Sequence, residues 1–361
     1  MKIAGIITAA GMSSRMGDFK PLLTINGLPM ALHTVLSMKN AGISPICVVT
    51  GHRGDELSAA LADSGVIFAR NPSPETSDML ASIKLGLSAV SDSDGFFLLP
   101  ADMPLTAPST FKTVLDYAVR TKSPYTVPVA GGKKAHPPLI MKECYDSILG
   151  FEGDGGLPAA LGSFEPAYIS AGDTISNLDA DYPHEFDGVR RQGMRRLGLS
   201  DRLCLDLLSK AGTPDNIKEH CLAVGELAEH IADNLISHGC YIDALLCRSA
   251  GSVHDIMRVQ PHHSAAGADF LESEGYFGVA DVVRRHMTFD GLSNEFDEYT
   301  VVCLADKLVS GTARVSPFER YAPASEKYPS GTEIGNRVRR DCGRAFTLYA
   351  RYVELTGDSL Y

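Results

Sequence analysis

The stretch Thr8-Ala9-Ala10-Gly11-Met12-Ser13-Ser14-Arg15-Met16-Gly17-Asp18-Phe19-Lys20-Pro21-Leu22-Leu23 decides how this chain is read. It follows the apolar run Ile3–Ile7, whose composition is that of a buried strand. Small residues let the backbone come close to a ligand, and the N–H groups of such a loop can cradle phosphate oxygens. Arg15 and Lys20 supply positive charge for a triphosphate. A strand feeding such a loop at the start of an α/β pattern is a common seat for a nucleotide. The loop carries neither G-x-G-x-x-G nor G-x-x-x-x-G-K-[ST].

Outward from the loop, short apolar runs alternate with helical stretches. Pro29–Ala41 reads as a helix, Pro45–Thr50 as a strand, Asp55–Ser64 as a helix and Val66–Ala69 as a strand. Ser77–Val90 is then helical, Gly95–Leu99 a strand and Pro108–Thr121 a helix. This alternation predicts an α/β, doubly wound, mostly parallel, Rossmann-like sheet. The more broken stretch from Tyr125 to Asp181 is expected to complete it. Near Gly188–Ser200 the texture changes, and Arg190, Arg191, Arg195 and Arg196 crowd a glycine-punctuated segment expected to be a linker. Thr213-Pro214 then predicts a helix start, with Thr213 as cap. Helices are predicted over Ile217–Ser237, Ile242–Ser249, His263–Glu274, Gly278–His286, Asp297–Ser310 and Thr332–Thr356, with no strands. The expected domains are 1–187, an all-α unit at 213–361, and a linker with a first helix at 188–212.

The 361 residues suffice for two domains, and 44% hydrophobic with 21% charged residues is an ordinary globular composition. A net charge of −11 argues against nucleic-acid partners. No apolar run approaches a membrane span, and a cleaved signal peptide would remove the loop, so neither is expected. The eight cysteines form no C-x-x-C pair and read as reduced, mostly buried thiols of a cytoplasmic protein.

A nucleotidyl transfer needs a held triphosphate and a metal with hard oxygen ligands. Asp102 stands where the apolar strand of Phe97-Leu98-Leu99-Pro100-Ala101-Asp102-Met103-Pro104 ends, at the edge where such sheets bind ligands. The loop resembles the signature L-x-A-G-x-S-x-R-M-G-x-x-K of sugar-phosphate and molybdopterin nucleotidyltransferases. The order of later motifs resembles the cytidylyltransferase branch of the molybdopterin group. These are Asp102-Met103-Pro104, Asn71 to Gly86 with Ser77 and Ser82, Ala135–Ile140, Phe151–Gly156 and Asn177–Pro183.

The resemblance, over residues 1–187, implies an Mg²⁺-dependent transfer of a nucleoside monophosphate to molybdopterin. Its implied nucleotide-binding residues are Ala9, Ala10, Gly11, Ser13, Ser14, Arg15, Lys20, Ser77, Ser82 and Asp102. Lys20, Arg15 and Asp102 are the implied catalytic residues. Asp102 is the implied metal ligand, with Asp179 or Asp181 adding a second carboxylate. Ala9-Ala10-Gly11 and Lys20-Pro21-Leu22-Leu23 resemble the CTP-using branch, which makes CTP, rather than another nucleoside triphosphate, the implied donor. A receiving molybdoenzyme is a further implied partner. Ala135 before His136 and Tyr182 before Pro183 depart from the family pattern and leave the acceptor open, a sugar- or alcohol-phosphate being the alternative.

In the second half, His220, His254-Asp255, His263, His286 and Asp306 fall on predicted helices. Imidazoles and carboxylates on helices can converge on a divalent metal. Their order resembles the HD-domain phosphohydrolases over residues 213–315. The resemblance implies that His220, His254, Asp255 and Asp306 hold a metal and that His263 and His286 serve a second. Mn²⁺, Fe²⁺ or Mg²⁺ is the implied ion, and Asp255 the implied catalytic group. Hydrolysis of a phosphate ester or anhydride follows, with a nucleotide-sensing role as the alternative.

Overall fold

In the computed structural model the described residues are 1–13, 16–171, 178, 182–287 and 296–361. They divide into two compact units, Met1–Gly193 and Met194–Tyr361.

The first unit is built on an eight-stranded sheet ordered Ala167–Ser170, Tyr125–Ala130, Leu139–Met141, Gly95–Pro100, Ile3–Ala9, Ile46–Thr50 and Ile67–Arg70, with Lys133–Lys134 beside Tyr125–Ala130. The central pairings are parallel, and Leu139–Met141 runs antiparallel to both neighbours. Ile3–Ala9 is apolar throughout because both its faces are covered. Ile3, Ile7 and Ala9 pack with Val35 and Met38 of the helix Met30–Asn40 and with Phe111 and Val114 of the helix Pro108–Thr121. Ala4 and Ile6 pack on the opposite face with Leu80, Ile83 and Leu87 of the helix Met79–Ala89. Register pairs Thr8 with Pro100 and Ala9 with Thr50, so three central strands finish together at one edge. The loops that leave that edge build the first site.

His33 ties the helix Met30–Asn40 to this core. It is 3% exposed, and its Nε2 bonds the Ile25 carbonyl at 2.8 Å. Burial pushes its pKa down to about 4, against the opposing effect of that bond. The unfolded chain protonates near pH 6.5, so the neutral imidazole stabilises the fold fully above that value. Stability is expected to fall as pH drops from about 6.5 to about 4, by about 3 kcal/mol in all. Urea midpoints across that window check this, and His33→Gln should flatten the slope.

The second unit is helical: Asp201–Lys210, Asp215–Ser237, Ala244–Val253, His263–Ser273, Phe277–Arg285, Glu298–Lys307, Pro317–Lys327 and Glu333–Thr356. Three expectations change. The segment read as a linker lies largely in a helix, Pro183–Arg196, which buries Val189 and Gly193. Thr213 is no cap: Pro214 holds that position, and the Thr213 hydroxyl donates to the Ile256 carbonyl at 2.8 Å. The unit is not wholly helical, since Val309–Ser310 pairs with Ala313–Arg314 across a tight turn where Gly311 has φ +62°.

The helices Asp215–Ser237 and Ala244–Val253 meet at two glycines. A Cβ on Gly225 would lie 2.8 Å from the Arg248 carbonyl, and one on Gly251 would lie 2.9 Å from the Gly225 Cα. No side chain fits between the two backbones. Gly225→Val is expected to cost about 1–3 kcal/mol through overpacking, read as a lower Tm. Because His254 caps the second helix, the variant should also displace that histidine.

Candidate active sites

The strand edge of the first unit opens on a cavity of about 590 Å³. Its lining includes Thr8, Ala9, Ala10, Gly11, Ser13 and Lys20 of the opening loop, Ser77 and Ser82, and Asp102. The expected nucleotide residues that are described are therefore brought together. Ser14, Arg15, Asp179 and Asp181 lie outside the described residues.

The loop is held from beneath and from the side. Gly51 lies so close that a Cβ there would sit 2.8 Å from the Ala10 carbonyl. Arg53 bonds Asp18 at 3.0 Å, with its guanidinium 5.6 Å from the Phe19 ring centroid. The Asp18 carboxyl is held below the usual carboxylate range by the Phe19 N–H first and Arg53 second. Lys20 donates its backbone N–H to the Ser13 hydroxyl at 3.2 Å. Its ammonium, largely buried, sits 3.4 Å from an Asp102 carboxylate oxygen. A cation from the loop after the strand Ile3–Ala9 and a carboxylate just past the strand Gly95–Pro100 thus face the same cavity.

Several lining residues carry chemistry that the residue-level reading did not assign. Asn71 follows the strand Ile67–Arg70 and donates from Nδ2 to the Ser77 hydroxyl at 2.8 Å and the Ser82 hydroxyl at 3.1 Å. It orients both serines. Lys134 and His136 face the same cavity from the antiparallel side of the sheet. Burial lowers the His136 pKa, opposed by the nearby Asp102 charge. Gly86, grouped with Ser77 and Ser82 as ligand-facing, packs against the sheet instead: a Cβ there would lie 2.6 Å from Ile6. Phe151 of the Phe151–Gly156 segment packs into the core behind the sheet, and its carbonyl accepts from Lys84.

In the second unit, all six expected ligands converge. His220 comes from the helix Asp215–Ser237, and Asp306 from the helix Glu298–Lys307. His254 and His286 each follow a helix as its C-terminal cap. Asp306 Oδ1 lies 3.4 Å from His220 Nε2 and 3.5 Å from His254 Nε2. Asp255 lies 3.6 Å from His254 Nε2, 3.1 Å from His263 Nε2 and 3.8 Å from His286 Nε2. Asp255 therefore stands between the two histidine pairs. His262, the neighbour of His263, is exposed and has φ +51° at the helix start.

The far nitrogens fix the rings. His220 Nδ1 bonds the Gly311 carbonyl at 2.9 Å, His254 Nδ1 the Gly251 carbonyl at 2.8 Å and His286 Nδ1 the Val283 carbonyl at 2.7 Å. Each carbonyl requires an Nδ1–H, which leaves the Nε2 lone pair directed inward. His254 Nε2 and His286 Nε2 are buried without a hydrogen-bond partner among the described residues. Two orphaned imidazole lone pairs beside two carboxylates fit a divalent cation, and the triads His220–His254–Asp306 and His254–Asp255–His286 each bring three ligand atoms within 4.8 Å of one another.

The electrostatics agree. Burial opposes ionisation of Asp306, yet Lys307 and the neighbouring histidines hold its carboxyl well below the usual range. Burial pushes the His286 pKa down to about 3, which keeps its ring neutral. Arg284 pairs with Asp269 and Glu272, and Arg285 with Asp281.

The two sites define a nucleotide-transfer fold joined to a helical metal-ligand cluster. The MobA-like NTP transferase domain matches residues 5–167 and the HD domain residues 217–311. The molybdenum cofactor cytidylyltransferase of Escherichia coli is 33% identical over 188 residues, which cover 50% of this chain and 92% of that protein. The chain belongs to this MobA-like nucleotidyltransferase family and carries an HD domain in addition. The bifunctional protein GlmU of Geotalea daltonii is 31% identical over 130 residues, covering 35% of this chain and 28% of that protein. Among solved structures, a nucleotidyl transferase from Methanothermobacter aligns with TM-score 0.48 at 23% identity, over 54% of this chain and 98% of its own. All eight cysteines are free, six of them buried. Among the described residues, no helix is long and apolar enough to cross a membrane.

Proposed function

We propose that the first unit transfers CMP from CTP to the molybdopterin cofactor and releases pyrophosphate, and that the second hydrolyses a phosphate ester or anhydride. The observation that carries the first part is the Lys20–Asp102 pair, 3.4 Å apart, in the cavity lined by the opening loop. In this reading Lys20 and the loop N–H groups hold the triphosphate, and Asp102 holds Mg²⁺ by one hard carboxylate ligand. The ion supplies charge neutralisation at the α-phosphate. Asn71 presents Ser77 and Ser82 to the nucleotide or acceptor, and the buried His136 stays neutral beside the reacting groups. Arg15, Ser14 and one of Asp179 and Asp181 complete the set.

Support for CTP comes from the name and 92% coverage of the Escherichia coli relative. Pyrophosphate release with molybdopterin and CTP, GTP or ATP tests it. A preference for GTP sinks the choice of base, and turnover with a sugar- or alcohol-phosphate but not with molybdopterin sinks the acceptor.

In the second unit His220, His254, Asp255 and Asp306 would hold a first divalent ion, with His263 and His286 serving a second. Mn²⁺, Fe²⁺ or Mg²⁺ would supply a water of lowered pKa. Asp255, within 3.8 Å of three imidazoles, orients that water or bridges two ions. The metal content of purified chain and a phosphate-ester screen with each ion test this. Nucleotide binding with neither metal nor hydrolysis would favour a sensor.

A further inference from the structure

The helix Pro317–Lys327 brings a cation to the metal-ligand cluster. Its start is fixed by a capping box, Ser316 accepting from the Glu319 N–H while the Glu319 carboxylate accepts from the Ser316 N–H. Arg320, one residue further on, turns toward Asp306. Its Nη2 lies 4.0 Å from Asp306 Oδ1, the same oxygen that His220 and His254 face. Its Nε is buried without a hydrogen-bond partner among the described residues, although about a third of the side chain remains exposed. A guanidinium with an unspent Nε–H at the rim of such a cluster has the fork that grips two oxygens of a phosphate.

Charge says which phosphate. Lys307 bonds Asp306 Oδ2, and Arg258 Nε lies 3.4 Å from Asp255 Oδ2. With Arg320, three cations surround two carboxylates, and the imidazoles are neutral when they act as ligands. The protein's own groups therefore carry a net +1, to which any divalent cation adds. Lys307 is committed to Asp306, and Arg258 to Asp255 and the His263 ring. Arg320 holds its carboxylate least closely, at 4.0 Å, and its Nε has no hydrogen-bond partner among the described residues. A surplus of this size matches a group of at least two negative charges, the dianion of a terminal phosphate, better than the single charge of a phosphodiester.

We propose that Arg320 anchors the substrate at this centre by binding the non-bridging oxygens of a terminal, dianionic phosphate. The proposal rests on the reading of the cluster as a hydrolytic metal site, and the experiment separates the two. Orthophosphate binding to the Mn²⁺-loaded full chain is measured by calorimetry for wild type, Arg320→Ala and Arg320→Lys, with bound Mn²⁺ counted in each. Turnover of p-nitrophenyl phosphate and bis(p-nitrophenyl) phosphate is followed in parallel.

The expected result is a loss of orthophosphate affinity of about 10- to 100-fold in Arg320→Ala at unchanged Mn²⁺ content. Arg320→Lys should fall between, since it keeps the charge and loses the fork. Monoester kcat/KM should drop in step, with the diester affected less. Wild-type affinity in Arg320→Ala overturns the proposal. So does loss of Mn²⁺ in that variant, which would make Arg320 a support of the cluster. Absence of orthophosphate binding in the wild type overturns it as well. Arg320-dependent orthophosphate binding without cleavage of either ester upholds the anchor and sinks the hydrolase reading.

Discussion

Asp102→Ala is expected to lower kcat for nucleotidyl transfer by about 10³-fold or more if Asp102 holds the metal as proposed, because the charge developing on the triphosphate would then lose its neutralising ion. The residue is partly exposed at the end of the strand Gly95–Pro100, and its side chain pairs with Lys20 at 3.4 Å. Its removal leaves no cavity in the core, so the thermal transition should stay near that of the wild type. On the proposed reading, KM for CTP should change far less than kcat, since the loop N–H groups and Lys20 would still hold the triphosphate. Asp102→Asn is the sharper variant: it keeps the shape and removes the charge. Pyrophosphate release at saturating CTP measures both. A variant that keeps more than a tenth of wild-type kcat would remove Asp102 from the chemistry.

The second large effect is expected from His254→Asn. His254 is wholly buried, and its Nε2 belongs to both ligand triads. Removing it breaks both at once, so metal affinity should fall by at least about 100-fold and hydrolysis with it. His263 is partly exposed and belongs to neither ligand triad, so His263→Asn should cost less. Metal counts on the two purified variants, beside turnover of a phosphate ester, check the order. Asp306→Ala is less clean, because it strands the buried Lys307 ammonium without its partner, a fault that typically costs about 3–5 kcal/mol.

Much of this was legible before any coordinates. The opening loop packs many residue types into a fixed order, and the alternation of runs after it has one economical solution. The histidines and aspartates of the second half are legible for the same reason, as an ordered set rather than as single residues. What was missed has physical causes. Pro183–Arg196 is polar and rich in arginine, so it lacks the apolar stripe that marks a helix, yet it buries Val189 and Gly193. The strand Leu139–Met141 is three residues long, too short for a period to show. Gly51 and Lys134 act through contacts distant in sequence, which spacing cannot reveal. The helix carrying Arg320 did leave a signal: Ser316-Pro317-Phe318-Glu319 is a capping box with proline at the first helical position.

The three inward-facing imidazoles are locked by main-chain carbonyls of Gly251, Val283 and Gly311. A side-chain partner can be lost by one base change, whereas a carbonyl survives every substitution that keeps the backbone path. The tautomers of this centre are thus insulated from point mutation in a way that a carboxylate-buttressed centre is not. Side-chain changes at Val283 should leave ligation intact, whereas Gly251 has no room for a Cβ and Gly311 sits at φ +62°. The vulnerable places are the helix ends and the glycine contact between Gly225 and Gly251, where the path itself is set.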